Sequence, residues 1–74
     1  MKIIKVIDLL NMIANKESLP ARIRFISGTY KEDYRNCHYD GFTYVYDVDG
    51  EDVYIGYVVT DLNDRIEILD CKGE

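Results

Sequence analysis

Long apolar runs are missing from this sequence. No stretch approaches the roughly 20 consecutive apolar residues that a membrane span needs, and the apolar segment after Met1 is interrupted by Lys5 and Asp8. That segment also lacks the longer apolar centre and small-residue cleavage site of a secretory signal. The expected setting is therefore intracellular, with no membrane partner. Cysteine is sparse, with only Cys37 and Cys71, and in a reducing compartment these read as thiols rather than as a disulfide. Proline occurs once, at Pro20, and histidine once, at His38. Glycine-rich phosphate loops, nucleophile elbows and Walker-type lysines are absent. The expectation is a protein that is not an enzyme and holds no cofactor.

Basic residues are scarce in the second half, where Arg65 and Lys72 alone stand against ten of the fourteen acids. Residues 1–35 are about +3 and residues 36–74 about −8, for a net charge of −5. Such a surface repels nucleic acid, whose binding is dominated by phosphate neutralisation, so no direct nucleic-acid contact is expected. The chain has 74 residues, 47% of them apolar, which suits one compact domain spanning 1–74 rather than a disordered segment. A core this small gains from self-association, which makes a homodimer compatible with the composition. Seven tyrosines fall between residues 30 and 57, more than such a core easily buries, and tyrosine is a preferred protein-contact residue.

The local patterns predict an α+β domain, one N-terminal amphipathic helix packed on a four- to five-stranded, mostly antiparallel sheet. Val6, Leu9, Leu10 and Ile13 recur at helical spacing opposite Asp8, Asn11 and Asn15, and the helix must end before Pro20. The β-branched residues Ile3, Ile4 and Val6 allow a short extended start over residues 2–5. Residues 22–26 alternate, with Ile23 and Phe25 facing the helix, and Ser27-Gly28 reads as a hairpin turn. Residues 32–41 show no period and read as the longest connection. Residues 42–47 alternate again, with Phe42, Tyr44 and Tyr46 on one face. Asp49-Gly50 is a turn, residues 53–59 a return strand with Gly56 as a bulge or a point of close approach, and residues 65–69 the closing strand.

Two constellations resemble metal or catalytic sites and fail on spacing. Asp47, Asp49, Glu51 and Asp52 cluster around Gly50, but the calcium-loop pattern needs glycine at position 6 and glutamate at position 12; this run has Gly50 at 4 and Val58 at 12. Cys37-His38 with Asp40 lacks the paired spacing of a zinc site, and adjacent residues seldom face each other as a catalytic pair. No metal is expected. The acids themselves read either as a solvated surface or as a mimic of nucleic acid, because alternate strand residues are about 6.5–7 Å apart, close to the phosphate repeat.

The opening Lys5-Val6-Ile7-Asp8-Leu9-Leu10-Asn11-Met12-Ile13-Ala14-Asn15-Lys16-Glu17, followed by Pro20 and Arg22-Ile23-Arg24-Phe25, resembles small phage and mobile-element proteins of Firmicutes. The ending Leu62-Asn63-Asp64-Arg65-Ile66-Glu67-Ile68-Leu69 is similar to theirs. The central tyrosines and acids depart from that pattern. The resemblance carries no assigned activity and transfers no catalytic residue. It implies a phage accessory protein in the host cytoplasm, a setting in which small acidic proteins often inhibit host defence, anti-CRISPR and anti-restriction proteins among them.

Charge and context together give the functional expectation: a small acidic protein that inhibits a host defence or DNA-binding protein such as a nuclease. Asp47, Asp49, Glu51, Asp52, Asp61 and Asp64 would form its charged surface, and Tyr46 and Tyr54 its contact anchors. The alternative is an oligomer that sequesters a defence signalling nucleotide, stacking a base on Tyr34 or Tyr39 and holding phosphate with Arg22, Arg24 or Arg35.

Overall fold

The computed structural model describes residues 2–58 and 61–71, with the side chain of Cys71 outside the description, so the pairing of Cys37 with Cys71 falls beyond it. The elements follow in the order β1 (Lys2–Lys5), α1 (Val6–Ala14), β2 (Pro20–Ser27), β3 (Tyr30–Tyr39), β4 (Tyr44–Val48), β5 (Glu51–Val53), α2 (Ile55–Val58) and β6 (Arg65–Cys71). The strands form one six-stranded sheet in the order β1-β6-β2-β3-β4-β5, every neighbouring pair antiparallel. The α+β class agrees with the expectation, while the sheet is larger. Strands β2 to β5 are a meander. β6 returns to lie between β1 and β2, so β1, α1 and β2 make a crossover whose two strands run parallel with a third between them.

Helix α1 starts where Asp8 accepts the Lys5 backbone N–H at 3.0 Å, which also places a carboxylate at the positive end of the helix. It ends in a Schellman motif: the Lys16 N–H reaches the Ile13 carbonyl at 3.2 Å and the Glu17 N–H the Met12 carbonyl at 3.0 Å. Lys16 takes the left-handed conformation this requires, at φ 56°, where a Cβ costs about 1–2 kcal/mol. Lys16→Gly is therefore expected to raise stability by about 0.5–1 kcal/mol in urea denaturation, part of the gain being offset by glycine's freedom in the unfolded chain. A loss of stability would show that Lys16 contributes more through its side chain than its backbone costs.

The segment read as a long loop is a strand. β3 runs unbroken for ten residues, and its missing period comes from a bulge: Arg35 pairs with Asp47 and His38 with Val45, leaving one residue extra on β3. Asn36 takes up the bulge at φ 53°, a conformation asparagine tolerates better than most residues. Before the bulge the even residue Tyr34 points into the core; after it the odd residue Cys37 does. A one-residue shift of this kind hides a strand from any strict alternation.

The return strand is also shorter than its pattern. β5 stops at Val53 and the chain turns into the single helical turn α2, which buries Ile55; Val59 lies outside the described residues. Gly56 is no bulge. A Cβ there would collide with the Tyr54 ring, so the glycine makes room for an aromatic side chain. The Asp49-Gly50 turn holds, with φ 51° and 84° as a type I′ hairpin demands.

Both helices cover one face of the sheet. Val6, Leu9, Leu19, Ile23, Phe25, Tyr34, Cys37, Tyr46, Ile55 and Ile66 form the core, and Ile23 and Phe25 are buried with the helix residues as their alternation predicts. Among the described residues, no helix is long and apolar enough to cross a membrane.

Candidate functional site

The other sheet face is polar, and strand pairing dissolves the charge asymmetry of the sequence there. β2 and β3 from the basic half lie between β6 and β4 from the acidic half. Arg24 donates to Asp33 at 2.8 Å and to Glu67 at 3.3 Å, Arg22 lies 3.9 Å from Asp70, and Arg35 lies 3.9 Å from Asp33 and opposite Asp47. The Arg24 guanidinium holds the Asp33 carboxyl below its ordinary value of 3.8. A carboxylate with a lowered folded pKa contributes stability that is fully present above the unfolded value and lost as pH falls through the folded one. Arg24→Gln is thus expected to lower the urea midpoint at about pH 6, with the gap to wild type closing below about pH 3.8. A gap that persisted undiminished at about pH 2.5 would remove the ion pair as its cause.

The acids expected to act together fall into two groups, one in the β4–β5 hairpin and one in the turn before β6. Asp47 lies in β4, directly across from Asp52 in β5; Asp49 occupies the turn and Glu51 starts the return strand. Regular strand spacing ends at Val48, so Asp47 and Asp49 do not continue a phosphate-like row. Asp61 and Asp64 sit in a separate turn, where Asp61 accepts the Asn63 N–H at 2.9 Å and the Asp64 carbonyl accepts the Val6 N–H at 2.9 Å. β6, which follows that turn, is three strands from β4, roughly 14 Å.

Tyr46 is not a contact anchor. It is fully buried and its hydroxyl donates to the Pro20 carbonyl at 2.8 Å; burial pushes its pKa far up. Pairing with β3 on one side and β5 on the other makes β4 an interior strand, in which Tyr46 is fully buried while Tyr44 and Val48 on the same face are half-buried. Tyr54 is half-buried against Tyr57, their ring centroids 5.1 Å apart. Tyr34, one of the two base-stacking candidates, is also buried, and burial pushes its phenol up to about 12. Tyr34 is therefore closed to a base, and Arg22, Arg24 and Arg35 each have a carboxylate beside them, while Tyr39, the other stacking candidate, is exposed.

The exposed aromatics lie elsewhere. Phe42 is 92% exposed, Tyr57 87% and Tyr39 58%. Phe42 was expected on a strand beside Tyr44, but it tips the β3–β4 connection. This connection is well braced: the Asp40 carboxylate accepts the N–H groups of Phe42 at 2.8 Å and Thr43 at 2.9 Å, and the Asp40 N–H donates to the Thr43 carbonyl at 3.0 Å. Those bonds hold the Asp40 carboxyl below its ordinary value. Phe42, Tyr39, Thr43 and Tyr44 line a groove of about 350 Å³ whose far wall is Ile13 and Lys16 of the α1 terminus. The sequence signal for this loop is Asp40-Gly41, a turn dipeptide embedded in a longer stretch without period.

A second cluster joins residues from three strands. His38 lies with its Nε2 3.3 Å from Asp52 and its Nδ1 3.8 Å from Asp47. Hydrogen bonding to the Asn36 carbonyl, then the contact with Asp52, raises the His38 pKa above its ordinary 6.5. The structure thus gives His38 the carboxylates of Asp47 and Asp52 on neighbouring strands, while Cys37, its neighbour in sequence, turns into the core.

No family model, no curated protein sequence and no solved structure matches this chain.

Proposed function

We propose that the protein is a small acidic binding protein that inhibits a host defence or DNA-binding protein, most simply a nuclease, by covering part of its surface. One observation carries this reading: Phe42, a large apolar side chain, is almost wholly in water on a loop whose backbone is locked by Asp40. An exposed apolar side chain on a rigid support is what an interface anchor requires, because little order remains to be imposed on binding. Tyr39 widens the contact, and the groove beside it can receive a side chain of the partner. The net charge of −5 favours encounter with a basic surface, such as the nucleic-acid groove of a nuclease. Asp49 and Glu51 at the exposed hairpin tip supply part of that charge. Imitation of a phosphate row is the weaker form of this reading, since Asp47 and Asp52 face His38 rather than standing free.

The test is affinity capture from a Firmicute lysate at low and high salt, with wild type and Phe42→Ala side by side, followed by an activity assay on the purified partner. A DNA-binding or nuclease protein retained by wild type, lost with Phe42→Ala and inhibited in the assay supports the proposal. If nothing distinguishes the two baits, the aromatic loop is not the binding site.

A further inference from the structure

We infer that His38, Asp47 and Asp52 form a binding site for one divalent transition-metal ion, Zn²⁺ being the ion best matched to it. One imidazole nitrogen and one oxygen of each carboxylate lie within 4.8 Å of one another. Ligand atoms around a tetrahedral zinc, bonded at about 2.0–2.2 Å, are about 3.4 Å apart, so closing the site asks roughly an ångström of movement from each side chain. All three are part-exposed and able to make that adjustment.

The arrangement around these groups matches what metal ligation needs. The Nδ1 atom of His38 lies 2.8 Å from the Asn36 carbonyl, an acceptor only, so Nδ1 carries a proton and Nε2 is the nitrogen left to ligate. A ring nitrogen bonded to a backbone carbonyl is the usual support of a ligating histidine. The side-chain amide of the same Asn36 donates to Asp47 Oδ2 at 2.9 Å, leaving Oδ1 3.8 Å from His38 Nδ1, so ligation beside Asp52 at Nε2 requires Asp47 to swing along the ring edge. One bulge residue therefore orients two of the three ligands. Asp47 and Asp52, moreover, are directly opposed across β4 and β5, where like charges repel; a cation between them removes that penalty. The imidazole selects Zn²⁺ and its first-row neighbours over Mg²⁺ and Ca²⁺, which prefer oxygen alone. The remaining coordination position is open to solvent or to a partner's side chain. Bound metal would tie the three-residue edge strand β5 to β3 and β4.

The inference does not depend on the aromatic loop or on any partner. It is tested on the full-length, untagged, chelator-treated protein carrying Cys71→Ser, which removes a competing thiol. Isothermal titration with Zn²⁺ is expected to give one saturable site per chain, and Co²⁺ to give ligand-field absorption bands. His38→Ala and Asp52→Asn should each weaken Zn²⁺ binding at least tenfold, and Asn36→Gly, which keeps the carbonyl and the left-handed backbone but removes the amide, about tenfold. Asp49→Asn with Glu51→Gln should change affinity less than about twofold, being outside the site. Circular dichroism confirms that each variant is folded. The inference is overturned by the absence of saturation at about 1 mM Zn²⁺, by unchanged affinity in both His38→Ala and Asp52→Asn, or by Ca²⁺ or Mg²⁺ binding as tightly as Zn²⁺.

Discussion

Tyr46→Ala is expected to cost about 3–5 kcal/mol, the range for deleting a buried aromatic ring. A 74-residue domain has about 4–11 kcal/mol in total, so this one change removes from about a quarter of the stability to all of it. The reason is position. Tyr46 is fully enclosed, meets the Tyr34 ring edge-on with centroids 6.1 Å apart, and is joined to the start of β2 by its hydroxyl on the Pro20 carbonyl. Tyr46→Phe separates packing from hydrogen bonding and should cost only about 1 kcal/mol. Urea denaturation followed by far-ultraviolet circular dichroism reads both. A cost under about 1 kcal/mol for Tyr46→Ala would mean that the site collapses to fill the space and that Tyr46 is not central to the core.

Phe42→Ala is expected to behave in the opposite way, leaving the fold intact and removing its contact. With 92% of Phe42 in water, truncation has little folded-state packing to remove, and the urea midpoint should correspond to a change within about 0.5 kcal/mol. Binding to the captured partner should fall by about 2 kcal/mol or more, roughly 30-fold, as for a central aromatic anchor. Asp40→Ala provides the complementary reading: Phe42 stays, but the two N–H bonds that brace it are lost, so affinity should drop less and through a more mobile loop. Partner affinity unchanged by Phe42→Ala, measured by titration calorimetry, would sink the aromatic-anchor proposal whatever the partner proves to be.

The elements legible in the chain are those governed by neighbours. The stripe of Val6, Leu9, Leu10 and Ile13, the alternation around Ile23 and Phe25, and the Asp49-Gly50 turn depend on contacts within a few residues, so pattern suffices for them. The ten-residue β3 was hidden because Asn36 breaks its alternation, and nothing local marks a bulge whose need arises from pairing with β4. α2 was hidden for a related reason: Tyr54, Ile55 and Tyr57 suit a strand by propensity, and the turn into a helix buries Ile55 in the core.

Function divides along the same line. Composition alone establishes the acidic balance and the surplus of tyrosine. Which tyrosines are inside depends on strand order: β4 is central, so Tyr46 is enclosed, while the connection beside it carries Phe42 into water. Likewise, a +3 half and a −8 half suggest a polarised molecule, yet antiparallel pairing interleaves them and sets Arg24 between Asp33 and Glu67. His38, Asp47 and Asp52 lie up to 14 positions apart in the chain and meet because one bulge and one two-residue turn fix the register of three strands. Residue types are a property of the chain, but proximity between strands is set by register, to which local spacing is blind.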